Sequence, residues 1–121
     1  EIETILMKDS LDLTTEDVSM IVDSCKNEKS NRIIITHGTD TITNTAKLIS
    51  NQKLVNKTII LTGAMIPYAF GSSSDGFFNL GCALSFVQTL DPGVYITMHG
   101  EYFKWNEVEK NNEIGVFERK K

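Results

Sequence analysis

Residues 32–45 read RIIITHGTDTITNT. Ile33, Ile34 and Ile35 form a short β-branched run, the pattern expected of a fully buried strand. Thr36, His37, Gly38, Thr39, Asp40 and Thr41 then crowd small polar groups onto the place where that strand must end. Ile42, Thr45, Ala46 and Ile49 follow at helical spacing, which predicts a helix starting near Thr41. A strand that ends in a Gly/Thr/Asp turn and opens a helix can hold an anionic group. Backbone N–H groups are free there, and the helix dipole turns its positive end toward the ligand. The bland alternative makes Thr39 or Asp40 a plain helix N-cap.

Upstream, residues 3–7 (ETILM) read as a strand, followed by a polar turn at Lys8, Asp9 and Ser10. Thr14 or Thr15 can cap the next helix, with Glu16 and Asp17 favourable in its first turn. Val18, Ile21, Val22 and Cys25 recur at three- and four-residue steps and should form its buried stripe. The polar run 27–31 should end that helix. Downstream, the helix that begins near Thr41 should run to about Gln52, with a strand at 58–61 after it. The Gly/Ser/Pro-rich stretch 63–74 is a loop of the length that usually carries function. Ser74 or Asp75 can cap a further helix carrying Phe78, Leu80, Leu84 and Val87. Asp91, Pro92 and Gly93 stop it, and 94–98 is the last clear strand. Residues 101–112 read as an amphipathic turn covering the sheet, and Glu118, Arg119, Lys120 and Lys121 as a solvated tail.

Alternating strands and helices with short links predict a single α/β domain. Its sheet is doubly wound, Rossmann-like and mainly parallel, flanked by helices and joined by right-handed crossovers. Ligands of such sheets lie beyond the carboxyl ends of the strands. Ser10, Thr39, Asp40, Gly63 and the residues after His99 all follow strand ends, so they should converge on one edge.

A chain of 121 residues fits one domain with a real core. Its net charge of −4 argues against nucleic acid as a partner. No apolar run approaches a membrane span, and no membrane partner is expected. Cys25 and Cys82 both fall in predicted helices without CxxC spacing, so they read as reduced thiols, consistent with a cytoplasmic setting. Neither a disulfide between them nor a metal site is favoured, because His37 and His99 follow different strands with no cysteine nearby. Nucleotide motifs of the GxxxxGK[ST] or GxGxxG type are absent, and no cofactor is expected. Ser72, Ser73 and Ser74 lack a GxSxG elbow and a triad histidine, so they read as loop and cap residues rather than nucleophiles. Tyr68, Phe70, Phe77 and Phe78 read as packing aromatics. Thr39, Asp40 and Lys110 suggest an activated-hydroxyl system. A threonine hydroxyl needs a neighbour that takes its proton, and a neutral lysine can do so.

HGTDT at 37–41, LTGAM at 61–65 with Pro67, and SSDGFFNL at 73–80 occur in that order along the chain. In wording and order they resemble the bacterial-type L-asparaginase family. The resemblance covers most of the chain. It implies hydrolysis of L-asparagine to L-aspartate and ammonia through an acyl-enzyme. Thr39, Asp40 and Lys110 would be catalytic. Ser10, Gly38, Thr39, Asp40 and Ala64 would bind substrate: Ser10 would take the α-carboxylate, Asp40 the α-ammonium, and the backbone at Ala64 would face the side-chain amide. Lys110 matches the family lysine by its offset from the strand at 94–98. The partners implied are a small amino acid, asparagine or aspartate, and further copies of the chain in a homo-oligomer. The alternative is a non-catalytic amino-acid-binding or regulatory module, and a third reading is a purely structural domain without affinity for amino acids.

The family's TGGT-like nucleophile motif does not occur here; the Thr62–Gly63 pair belongs to LTGAM. The chain starts at Glu1 rather than Met, and the family's smaller C-terminal domain is also lacking. The expectation is therefore an asparaginase N-terminal-type domain over 1–121, truncated at its N-terminus. Without that strand the sheet would expose backbone and apolar groups. The chain should then self-associate or pair with the missing segment.

Overall fold

The structure, a computed structural model, describes residues 14–66 and 74–120. The expected strand at 3–7, Ser10, Pro67, Tyr68, Phe70, Ser72 and Ser73 lie outside the described residues.

Helix α1 (Thr15–Asn27) starts where its cap predicts. Thr14 Oγ1 accepts from Asp17 N at 3.1 Å, and the Asp17 carboxylate accepts from Thr14 N at 3.1 Å. This reciprocal capping box satisfies two otherwise orphaned donors. Its buried residues include Ile21, Val22 and Cys25, with Val18 packed beside them. Strand β1 (Arg32–Thr36) leads to α2 (Ile42–Ser50), whose N-cap is Thr41, so neither Thr39 nor Asp40 is a cap. β2 (Thr58–Thr62), α3 (Gly76–Thr89) and β3 (Gly93–Met98) complete the alternation.

The main sheet has the order β1-β2-β3-β4, where β4 is Glu101–Lys104. β1, β2 and β3 run parallel, in register from Arg32 opposite Thr58 and from Thr58 opposite Gly93; β4 is antiparallel to β3. Ile59, Leu61, Ile96 and Met98 face a core built with α1 and α2. The alternate residues Ile60 and Tyr95 face Ala83 and Val87 of α3. Helices therefore cover both faces, and the doubly wound α/β class is what the chain adopts.

Several local expectations are corrected. β2 is buried along its whole length, whereas Ile33, Ile34 and Ile35 of β1 are only half-buried. β1 lies at the edge of the described sheet, so its apolar run is not covered on all sides as an interior strand would be. On α3, Phe78 and Leu84 are 60% and 52% exposed, and the buried residues are Gly76, Asn79, Ala83 and Val87. The helix has no charged residue in 14 positions, so its apolar pattern could not show which side faces inward. Phe77 is 67% exposed.

Residues 101–112 form two strands rather than a covering turn. β4 extends the main sheet, and β5 (Val108–Asn111) pairs with β6 (Val116–Arg119) as an antiparallel hairpin. Phe103, Val108 and Phe117 are buried in the larger core cluster. Glu118 and Arg119 thus belong to β6, not to a solvated tail. The Arg119 guanidinium lies 4.9 Å from the centre of the Phe103 ring, a cation–π contact.

Candidate active site

The turn after β1 is set by His37. Its N–H donates to Thr62 O at 2.8 Å, which ties the β1 end to the β2 end. Nδ1 lies 2.7 Å from Gly38 O, and a carbonyl can only accept, so Nδ1 carries the proton. Nε2, 2.8 Å from Thr45 Oγ1, is then the acceptor of that hydroxyl's hydrogen bond. Burial pushes the imidazole below its ordinary value of 6.5, partly opposed by the bond to Gly38. His37 is a neutral brace between the turn and α2. Both ring nitrogens are used in holding Gly38 and Thr45, which leaves the next two residues, Thr39 and Asp40, to face outward chemistry.

Lys110 reaches those residues from the β5–β6 hairpin. Its Nζ donates to Thr39 Oγ1 at 2.8 Å and to Asp40 Oδ1 at 2.7 Å. The Lys110 side chain is 17% exposed and that of Asp40 42%. The lysine is thus held against the turn, and the Asp40 side chain stays partly exposed. Two adjacent side chains and a third some 70 residues further on meet at the carboxyl end of the sheet.

Gly63 closes the other side of the turn. A Cβ there would lie 2.2 Å from His37 O and 3.3 Å from Thr39 Cγ2. Both distances are below ordinary contact, and the first is to rigid backbone. Glycine is needed here because two strand ends touch. Ala64, the next residue, makes no hydrogen bond through its own N–H or C=O among the described residues. Met65 is packed against the core, and its Cε is 4.0 Å from where a Cβ on Gly115, in the hairpin turn, would be. Residues 63–66 therefore run between Thr39 and the hairpin that supplies Lys110.

Behind them is a network the sequence reading did not anticipate. Asp75, expected as a cap, makes no side-chain cap bond to α3. Its carboxylate turns back to accept from Met65 N at 3.1 Å, Ile66 N at 2.9 Å and Asn79 Nδ2 at 3.0 Å. His99 Nε2 approaches the same group at 2.6 Å. Burial alone would raise the Asp75 pKa; the bonds from Ile66, Met65, His99 and Asn79 outweigh it and bring the value down to about 2. Asn79, fully buried, also donates to Gly63 O at 2.8 Å and accepts from His99 N at 2.9 Å. The available signal was an Asp and an Asn four residues apart, hence neighbours on one helix face, behind a strand-end loop.

Cys25 and Cys82 are free thiols. Cys25 is buried, and burial pushes its thiol up to about 11 against the opposing field of Lys57. Among the described residues no helix is long and apolar enough to cross a membrane.

A doubly wound α/β domain with Thr39, Asp40 and Lys110 gathered beyond its strand ends has the layout of a small-ligand-binding domain. The family model for the asparaginase N-terminal domain matches residues 1–117, and the chain belongs to that family. It is 31% identical over 115 residues to a glutaminase-asparaginase of Acinetobacter glutaminasificans, covering 93% of this chain and 33% of that protein. A glutaminase-asparaginase of Pseudomonas fluorescens biotype A is 37% identical over 81 residues, 64% of this chain and 22% of its own length. Among solved structures, the thermostable L-asparaginase from Thermococcus kodakarensis superposes with a TM-score of 0.84 at 28% identity, covering 98% of this chain and 38% of that one. The chain thus spans about a quarter to a third of the relatives it matches.

Proposed function

We propose that this domain binds a small amino acid bearing a side-chain amide, asparagine foremost, and carries part of the machinery that hydrolyses it to aspartate and ammonia. The observation that carries this reading is Lys110 Nζ bridging Thr39 Oγ1 and Asp40 Oδ1 across some 70 residues of sequence. The similarity to L-asparaginases and glutaminase-asparaginases supplies the substrate class.

In this reading the partly exposed Asp40 carboxylate accepts the substrate's α-ammonium. Ser10 takes the α-carboxylate, Gly38 lies among the substrate-binding residues, and the backbone at Ala64 takes the side-chain amide. Amide cleavage by acyl transfer needs a hydroxyl to attack the carbonyl carbon, forming an ester as the C–N bond breaks. The leaving nitrogen departs as ammonia after gaining the hydroxyl's proton. Water then attacks the ester, releasing aspartate and restoring the hydroxyl. Thr39 and Lys110 form a hydrogen-bonded pair able to pass a proton, while Asp40 holds the lysine in place. No TGGT-like sequence lies within these 121 residues, and Thr39 carries the hydroxyl that Lys110 contacts.

Calorimetric titration with L-aspartate tests the assignment. Asp40→Ala should weaken binding by about 100-fold or more, since it removes a charged partner from a hydrogen-bonded site. Unchanged affinity in that variant would overturn it. Wild-type binding without turnover, in the longest natural form of the protein, would favour the amino-acid-binding module instead.

A further inference from the structure

Four hydrogen bonds from side chains converge on a four-residue stretch of backbone. Asn79 Nδ2 donates to Gly63 O at 2.8 Å, and Ser74 Oγ donates to Ile66 O at 2.5 Å. Between them, Met65 N and Ile66 N both donate to the Asp75 carboxylate. Ala64 is left as the residue whose own N–H and C=O are unengaged among the described residues. A backbone pinned on both sides of one unengaged residue is a preorganised contact. Its polar groups are available to a ligand without the cost of ordering the loop at the moment of binding.

We propose that Asp75 is the positioning residue for the amide end of the pocket. Its carboxylate fixes Met65 and Ile66 so that the Ala64 backbone is presented to the substrate's side-chain amide, with Asn79 and His99 holding the carboxylate itself. This rests on the reading of Ala64 given above. His99 has φ +51°, a left-handed conformation uncommon outside glycine, and two bonds accompany it: its N–H to Asn79 Oδ1 and its Nε2 to Asp75. The end of β3 is thereby bound to the N-terminus of α3, and both to the end of β2. Two features separate this role from plain support of the fold. Asp75 makes no cap bond to its own helix, and its carboxylate instead engages two consecutive amides next to Ala64.

The proposal makes a distinction that general destabilisation does not. Asp75→Asn keeps the side-chain size and one oxygen acceptor but replaces the second oxygen with a donor, so one of the paired amides loses its bond. In the full chain, calorimetric affinity for L-aspartate and L-asparagine should fall about tenfold, the order of one lost hydrogen bond. Affinity for L-alanine, which has the same ammonium and carboxylate but no side-chain polar group, should stay within about twofold. Amide exchange at Met65 and Ile66 should quicken in the same variant, while that at Thr39 and Asp40 stays unchanged. Equal losses for all three amino acids, or no loss for any, would overturn the role of Asp75. Should Asp75→Asn fail to fold, His99→Ala removes the Nε2 bond to the carboxylate and leaves both backbone amides in place. It should shift the aspartate-to-alanine ratio in the same direction by a smaller factor, and an unshifted ratio would overturn the proposal. A wild-type chain that binds none of the three amino acids would instead refute the pocket reading itself.

Discussion

At the scale of single residues, the site depends on which polar groups are already used. His37 is wholly taken up by structure: Gly38 O and Thr45 Oγ1 occupy both ring nitrogens and burial keeps it neutral. That environment has a consequence for pH. The folded form binds its proton below 6.5 and the unfolded chain near 6.5, so the unfolded state gains the proton first on acidification. His37 therefore contributes stability that is fully present above 6.5 and lost as pH falls through its lowered value. Asp75 acts the same way further down: its folded value of about 2 lies below the ordinary 3.8, so its contribution is lost between those two. Thermal melts from pH 8 downward should show a plateau, then a decline beginning below 6.5. Imidazole NMR shifts should place the His37 titration below that of an unfolded peptide, and a His37 that titrates at or above 6.5 would contradict the neutral brace. Thr39 and Asp40 could be selected from sequence because HGTDT is a dense local motif. Asp75 and Asn79 stand in the SSDGFFNL motif, but their role, like that of His99, was not legible, because it lies in contacts between the ends of three different elements.

The elements themselves were unequally legible. α1 announces its start with Thr14 and Asp17 and its buried stripe with Ile21, Val22 and Cys25, and all of these fall where the periodicity puts them. β1, β2 and β3 show as β-branched runs between turn residues. α3 hides its orientation because its 14 residues carry no charge. The last three strands are hidden for the opposite reason. β4, β5 and β6 are four residues each, and in each of them only one residue is buried: Phe103, Val108 and Phe117. One apolar position per strand leaves no alternation to read. Yet the hairpin matters most for the site, since Lys110 lies on β5 directly opposite Phe117 on β6. Phe117 is the anchor that seats the hairpin on the core, and Phe117→Ala should cost about 3–5 kcal/mol of stability. Aspartate affinity should fall with it, because Lys110 is positioned only while β5 is docked. Urea unfolding paired with calorimetry reads both effects. A destabilised variant that retained full affinity would mean Lys110 is placed independently of the hairpin's packing.

Across the whole molecule, coverage of the sheet is uneven. β2 is buried from Thr58 to Thr62, whereas β1 has no ladder partner on its outer edge among the described residues and only half-buried isoleucines. Beside β1 and α1 lies a groove of about 490 Å³ whose lining includes Ile21, Cys25, Ile33 and Ile35. Among the described residues, that edge offers N–H and C=O groups with apolar side chains beside them, the features that recruit another strand. On the opposite layer, Phe78 and Leu84 of α3 add exposed apolar surface with no charge nearby on the helix. The 121-residue chain should therefore associate with itself in solution. The force would be apolar and backbone pairing rather than charge, and the chain's net charge of −4 opposes it. Salt screens that repulsion, so association should strengthen as ionic strength rises, the reverse of an interface held by ion pairs. Sedimentation velocity over a range of protein and salt concentrations measures this directly. Association that weakens with salt would locate the driving force in charge instead. A single monomeric species under all those conditions would mean that neither the β1 edge nor the α3 face recruits a second chain.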